Sequence, residues 1–530
     1  MRLSGTKTNS VNQYRGLGDQ LWDLGGARPT LDLNFAQSKD LTDATTGKDY
    51  VDFTRQSSGT YVGSDGLIKT ATTNLLLRSE EFDQSPWSPS NSSISANTVA
   101  NPFGDITADT LTATATTFAR VVQNTAFNVN TVVLSVYAKS GTAPHLAGTA
   151  ENLGLGQSIR LFANLSTGVT QQVTAAGTIA ATSGSVQLAD NWWRFYWIIT
   201  TPTVGSYQIY WAASDQSLGF SVAIGKTLHL WGAQLEQSST VGEYVPTTST
   251  INSAPRFDHD PVTGESLGLL VEESRTNLLL NSATLATQNV TVTAIAHTLS
   301  FYGTGTVTLS GAHSATLVGT GAYPSRATLT FTPAAGTLTV TVSGTVEYAN
   351  LEIGAGGSGA SFPTSYIPTT TSTVTRAGDV ASISGSNFSS WYRQNESSAF
   401  VDFTLNGVNT GNNFIYDFSN GTIDEEIFLN YQDSGNARWA ARVASVQVTQ
   451  DQSGAGLPRF KHAFGMASNN YMAARDGILS TGSSQVGMPP NTSLRLGARF
   501  NDSVPSNGTI RRLTYWPVRL ENNVLQAITQ

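Results

Sequence analysis

The chain of 530 residues contains no cysteine. That absence excludes a disulfide framework, a thiolate nucleophile and a cysteine-based zinc site. It leaves the compartment open, because assembly in a reducing cytoplasm needs no disulfides and a secreted chain can do without them. Charge is scarce as well. Asp, Glu, Lys and Arg make up 12 % of the residues, about half the roughly 25 % usual for soluble domains. The 29 basic residues are outnumbered by 37 acidic ones, for a net charge of −8. No run of Lys and Arg and no basic stripe is present to track a phosphate backbone, so nucleic acid is not an expected partner. Long apolar runs are missing too. The longest candidate, Leu267 to Val271, falls far short of the ~20 residues that cross a bilayer, and no membrane insertion is expected. Met1-Arg2-Leu3-Ser4 leads into a polar stretch rather than an apolar core, so no signal peptide is read. The six histidines show no metal-ligand spacing.

What fills the surface instead is Thr, Ser, Asn, Gln and 49 glycines. Such a composition suits short strands joined by tight turns and does not suit long helices with Glu and Lys on their wet faces. The hydrophobic fraction of 39 %, with 22 Phe, 17 Tyr and 10 Trp, is enough to bury several cores and argues against disorder. At roughly 100–200 residues per domain the length suggests about three domains.

An internal repeat organises the chain. Asn74-Leu75-Leu76-Leu77-Arg78-Ser79 recurs as Asn277-Leu278-Leu279-Leu280-Asn281-Ser282. Leu235-Glu236 followed by Tyr244-Val245-Pro246-Thr247-Thr248 recurs as Leu351-Glu352 followed by Tyr366-Ile367-Pro368-Thr369-Thr370. Between these markers the pattern is strand-like. Ala327 to Val342 alternates with period two, which puts Leu329 and Phe331, then Leu338, Val340 and Val342, on one face. The expected organisation is an N-terminal segment over 1–40, an extended linker over 41–73 and a jelly-roll module over 74–250. A second linker over 251–276, a shorter jelly-roll module over 277–375 and a final sandwich over 376–530 complete it. The last of these closes with a short helix near Leu520 to Thr529, where Leu520, Val524 and Leu525 share one side. The fold class is therefore all-β, as tandem antiparallel β-sandwiches.

The N-terminal segment holds the short amphipathic stretch Tyr14 to Leu24. With no core of its own, it is expected to dock on a partner through Tyr14, Leu21, Trp22 and Leu24; a flexible terminus is the alternative.

Candidate chemistry is sparse. Gly264-Glu265-Ser266-Leu267-Gly268 matches a hydrolase elbow in letters, but an extended apolar run follows it where a helix is required. The Gly-x-Gly-x-x-Gly at Gly354 to Gly359 opens no helix. Asp258-His259-Asp260 reads as a solvated turn ahead of Pro261 rather than a metal cluster. Glu80-Glu81 and Glu272-Glu273 are adjacent in sequence, and adjacent strand residues point apart, so neither pair makes a glycosidase dyad. No catalytic residue, metal site or cofactor is assigned, and no enzyme activity is expected. The most distinctive local feature is Trp192-Trp193-Arg194-Phe195-Tyr196-Trp197. As a strand it sends Trp193, Phe195 and Trp197 to one face, the core, and Trp192, Arg194 and Tyr196 to the other. A pairing strand Tyr207 to Trp211 would add Gln208 and Tyr210 to that second set. Flat rings beside polar groups suit a sugar ring, whose C–H faces stack while its hydroxyls bond. A face covered by a neighbouring loop or subunit is the alternative.

Tyr61 to Ile68, Pro255 to Glu265 and Glu272 to Leu279, together with the Leu-Glu … Tyr-Ile-Pro-Thr-Thr phrase, resemble a framework of tailed-bacteriophage fibre and head-fibre proteins. There it links jelly rolls similar to carbohydrate-binding modules. The region with Lys461 to Gly465, Leu494 to Gly497 and Ile510 to Leu513 resembles a laminin-G/concanavalin-A-like sandwich. The resemblance covers nearly everything after residue 30. It implies a virion structural protein, assembled in the host cytoplasm, that is anchored to other virion proteins through its N-terminal segment. It also implies a homotrimer that attaches to bacterial surface glycan, gaining avidity from several weak sites. A capsid decoration or head-spike protein, and a tailspike that depolymerises polysaccharide, stay open as alternatives.

Overall fold

The alternating runs fold as strands whose β-branched and aromatic residues face inward and whose Thr and Ser face water. The computed structural model describes residues 21, 27–200, 204–408, 411–432, 435–453, 459–480 and 487–530. Among them the strands pair antiparallel, and the α-helices are the short segments Phe35–Ser38, Gly385–Ser389 and Asn522–Ile528. The chain divides into two compact units, Thr72–Ala254 and the residues up to Ala71 together with Pro255–Gln530.

The Thr72–Ala254 unit is a sandwich of two six-stranded sheets. One runs Ala180–Gln187, Trp193–Thr200, Thr131–Ser140, Thr227–Glu236, Ile106–Ala113, Ser92–Ala100. The other runs Thr170–Ala176, Gln157–Asn164, His145–Asn152, Gly205–Ser214, Arg120–Phe127, Ser88–Ser90. Their inner faces meet in one core that includes Leu134, Val136, Leu161, Phe195, Trp197, Ile209 and Trp211. Period-two alternation produces this directly, since Phe195 and Trp197 point in while Arg194 and Tyr196 point out.

The other unit holds two sandwiches. The smaller one has a five-stranded sheet (Gly321–Phe331, His297–Gly303, Glu347–Gly354, Arg275–Asn277, Val374–Arg376) over a four-stranded one (Gln288–Val292, Gly336–Ser343, Thr306–Gly311, Ala315–Val318). The larger is built around Asn507–Trp516 and Glu396–Gly407 on one sheet and Asn412–Ser419 and Glu426–Gln432 on the other. It takes strands from every part of the chain outside the jelly rolls. Leu31–Leu33 pairs with Asn507–Trp516, Asp52–Thr54 with Val380–Ser384, and Ser266–Val271 with Asn507–Trp516. The stretches expected as linkers thus supply strands to the last sandwich. The reason is apolar: Leu31, Leu33, Phe53, Leu269 and Val271 are buried in its core and would be wet along a linker. Leu21 is likewise buried, packing with Trp516, Leu520 and Leu525 of the same chain. This corrects its expected place among partner-docking residues, because a side chain already covered has no apolar surface to offer a partner. Tyr14, Trp22 and Leu24 lie outside the described residues.

The sequence repeat is a repeated hydrogen-bond clasp. The Asn74 amide donates to Ala233 O and Val245 O at 3.0 and 2.9 Å and accepts from the N–H groups of Leu76 and Leu235. Asn277 makes the same four bonds with Ala349 O, Ile367 O, Leu279 N and Leu351 N. Ser79 exchanges bonds with Thr247 and meets the Tyr244 hydroxyl; Ser282 does so with Thr369 and Tyr366. Each asparagine therefore ties the first strand of its sandwich to the last strand and to the segment leaving it. Buried polar groups need such complete partnering.

A second polar element fixes the larger unit. Arg55 Nη1 meets Asp379 Oδ1 at 2.7 Å, Arg256 Nη2 meets Asp379 Oδ2 at 2.5 Å, and Arg256 and Arg376 both reach Glu272 Oε2, at 2.8 and 2.7 Å. All five side chains are almost completely buried. Burial opposes the charge of Glu272, but Arg376, Arg256 and the bonds from Ser365 outweigh it and hold its carboxyl at about 2. Asp258 and His259 are structural too: Asp258 Oδ1 accepts from Val62 N and His259 Nδ1 faces Val62 O, while Asp260 caps the turn through Val262 N and Thr263 N.

Candidate ligand-binding face

Of the five residues expected to share a sugar platform, Arg194 and Tyr196 lie on one sheet, Gln208 and Tyr210 on the other, and Trp192 on neither. The strand Trp193–Thr200 pairs with Thr131–Ser140 and Ala180–Gln187. The strand Gly205–Ser214 pairs with His145–Asn152 and Arg120–Phe127 in the opposite sheet. The strand that ends at Thr200 and the strand that begins at Gly205 thus belong to opposite sheets and are not paired as a hairpin. Gln208 and Tyr210 are therefore on the far outer face from Arg194 and Tyr196.

On the first sheet the platform dissolves. Trp192 precedes the strand and is fully buried among Ala108, Tyr137 and Trp231, its Nε1 donating to Ala100 O at 3.0 Å. Arg194 lies 5.5 Å from the Tyr137 ring centre and donates to Gly242 O and Ser135 Oγ at 2.9 and 3.2 Å. Arg326 in the smaller sandwich does the same over Tyr302, donating to Thr364 O and Ser300 Oγ. A residue that recurs with its partners in both sandwiches belongs to their shared frame. Tyr196 is half-buried and lies over Gly184, where any Cβ would strike its ring.

The opposite outer face carries a different group. Across neighbouring strands the register aligns Val122, Tyr210, Thr149, Arg160 and Val173 in one row, and Arg120, Ala212, Ala147, Phe162 and Gln171 in the next. Gln208 stands one row further on, between Asn124 and Glu151. The loop after Ser214 folds Phe220 onto these rows. Its ring stacks on Phe118 at 4.9 Å and meets Phe162 at 5.5 Å and Tyr210 at 5.7 Å. Arg120 sits 4.5 Å over the Tyr210 ring, and Arg160 sits 5.8 Å from that of Phe220. Tyr210 is consequently only 3 % exposed; it supports the cluster, and Phe118, at 40 % exposed, is the ring that meets water.

Beside the cluster lies an open groove of about 420 Å³ lined by Thr170, Gln171, Gln172, Val173, Ser183 and Leu218. Gln172 spans its base, donating to Ala181 O at 3.1 Å and accepting from Ser183 Oγ at 2.7 Å. Gln171 and Arg160 are exposed, and neither side chain has a hydrogen-bond partner among the described residues. The arrangement offers apolar surface (Leu218, Val173, Phe118) beside free amide and guanidinium donors. Arg120, Arg160, Gln171 and Phe118 were not among the residues read from the sequence. The signal for one of them was present: in Gln157 to Asn164 the outward row holds Arg160 and Phe162 while Ile159, Leu161 and Ala163 face the core. What the sequence withholds is which strands lie beside that row.

No family model matches this chain. No curated protein matches it either. Among solved structures it is similar to the CBM40 domain of the Ruminococcus gnavus IT-sialidase, at 16 % identity and a TM-score of 0.25, over 27 % of this chain and 87 % of that one. It is similar to domain 4 of a GH43 extracellular arabinanase from Geobacillus stearothermophilus, solved with arabinotriose, at 13 % identity and a TM-score of 0.25, over 32 % and 84 %. A heptameric SAP-like pentraxin from Limulus polyphemus matches at 11 % identity and a TM-score of 0.21, over 26 % and 70 %. Among the described residues, no three or more His, Asp or Glu side chains stand together as a metal site.

Proposed function

We propose that the chain is a structural protein of a bacteriophage particle that holds bacterial surface glycan, without cleaving it, on the outer sheet face of its Thr72–Ala254 unit. The observation that carries the binding reading is the open groove at Gln171 and Leu218, which adjoins the Arg120, Arg160 and Phe118 cluster. Sugar sites combine apolar patches for ring C–H faces with a few free donors for hydroxyls, and both are present there. The phage setting draws on the linker phrases at Tyr61 to Ile68 and Pro255 to Glu265, and on a surface of Thr, Ser, Asn and Gln. On this reading a homotrimer multiplies weak single-site affinity.

The test is retention of the full chain on bacterial cells and on their extracted surface polysaccharide, with reducing ends assayed in the same tubes. Saturable binding without sugar release, weakened severalfold by Gln171→Ala, is the expected result. Sugar release would make the protein a depolymerase, and absence of binding would leave a decoration protein. Gold-labelled antibody on particles from the strain that carries the gene tests the virion setting, and light scattering in solution tests the trimer.

A further inference from the structure

Resting on that reading, we infer that the face selects glycans bearing an anionic substituent, a carboxylate or a phosphate. The Thr72–Ala254 unit contains four arginines, Arg78, Arg120, Arg160 and Arg194. Arg78 pairs with Glu81 and Arg194 is bonded into the frame. Among the described residues, the guanidinium groups of the other two have neither a hydrogen bond nor an ion pair. Both of these sit on the same outer face. Their strands are three spacings apart, roughly 14 Å, but the side chains lean over Tyr210 and Phe220, whose ring centres are 5.7 Å apart.

Arg120 is the more telling of the two. It is half-buried, and its Nε is shielded from water with no partner. A charge and a donor held this way are costly to the fold unless something supplies a counter-charge. Neither Glu151 nor Asp215 supplies it. Glu151 lies across from Gln208 and Ser158 with no ion pair to either arginine, and Asp215 in the overlying loop accepts from Ala223 N and lies 3.8 Å from Lys226. His145, on the same face, is held below its usual value mainly by burial and stays neutral at pH 7. The face therefore presents two fixed positive charges on a chain whose net charge is −8. An anionic group entering between them gains charge-assisted bonds from pre-oriented guanidinium forks, which suit carboxylate and phosphate oxygens. Neutral sugars gain only the groove.

The experiment measures binding of the full chain to immobilised polygalacturonate, to the same polymer after carboxyl reduction, to a poly(glycerol phosphate) teichoic acid and to dextran. At least tenfold tighter binding to one anionic polymer than to both neutral ones is expected, and which anionic polymer wins identifies the substituent. Arg160→Gln, at an exposed position that leaves the fold intact by circular dichroism, should bring the preference to threefold or less, and Arg160→Lys should keep part of it. Equal binding to the reduced and unreduced polymers would overturn this inference while leaving glycan binding standing. An undiminished preference in Arg160→Gln would overturn the assignment to this face. Binding to none of the four at millimolar sugar would overturn the glycan-binding reading itself.

Discussion

Replacing Asp379 by alanine should destabilise the larger unit more than any substitution on its surface. Asp379 accepts from Arg55 through Oδ1, and from Arg256 and the Glu272 N–H through Oδ2, and both its ion pairs are fully buried. The cluster contains three positive and two negative side chains, so removing Asp379 raises its net charge from +1 to +2 with no water to relieve it. Breaking a buried pair by removing one partner costs about 3–5 kcal/mol, mostly from the charge left behind. At about 2 °C per kcal/mol for a large domain, the thermal midpoint should fall by about 6–10 °C. Asp379→Asn keeps the shape and loses the charge, so it should fall nearly as far. Calorimetry of the full chain is the assay, with the transition of the Thr72–Ala254 unit, which holds none of these residues, as internal reference. A fall below about 1 kcal/mol for alanine, or an Asp379→Asn variant as stable as the parent, would refute the reasoning, because uncompensated charge would then not be what the site balances.

Three further outcomes follow from the same structure. Glu272 has a folded-state value near 2, below its ordinary 4.5, so its stabilisation is complete above pH 4.5 and is lost as pH falls toward 2; an acid titration followed by tryptophan fluorescence reads this, and Glu272→Gln should flatten that part of the curve. Burial, with Glu426 beside it, pushes Asp417 up to about 7. A carboxyl raised in the fold stabilises it below pH 3.8 and loses that contribution as pH climbs through 7, so Asp417→Asn should raise stability at pH 8 by about 1 kcal/mol or more and change little at pH 4. Asn74→Ala and Asn277→Ala should each destabilise the sandwich that contains them by about 2–4 kcal/mol, since four buried hydrogen bonds lose their shared partner; equal melting curves for variant and parent would argue against the clasp.

Fold class was legible because period-two alternation and turn residues are local properties. Ala327 to Val342 needed nothing beyond itself to be read as strands, and the spacing of Leu520, Val524 and Leu525 was enough for the closing helix. The paired markers at Asn74 and Asn277 were legible as a repeat, but not as a clasp, because their partners Ala233 and Ala349 lie far along the chain. The binding face failed for a related reason. Nearness in sequence made Trp193 to Trp197 and Tyr207 to Trp211 look like a hairpin, whereas in a jelly roll successive strands commonly belong to opposite sheets. Alternation gave the correct side for Arg194, Tyr196 and Tyr210 within each strand. It could not say that a loop carrying Phe220 covers Tyr210, or that Arg194 serves the frame. Leu267 to Val271 was legible as an apolar run, yet the strand that takes it into the last sandwich, Asn507–Trp516, lies far along the chain.

The paired ends of the two jelly rolls bear on how such a gene can change. Thr73–Asn74 is bonded to Asn252–Ser253, with Ala254 N donating to Thr72 O at 2.8 Å, and Arg275–Asn277 is bonded to Val374–Arg376. Each jelly roll therefore begins and ends at one point and interrupts the larger sandwich the way a parenthesis interrupts a sentence. Excising one, or exchanging it for another with a different specificity, requires rejoining ends that already lie about 5 Å apart. A lineage of such chains could trade ligand-holding parts by recombination while the interrupted sandwich kept its hydrogen bonds and its core.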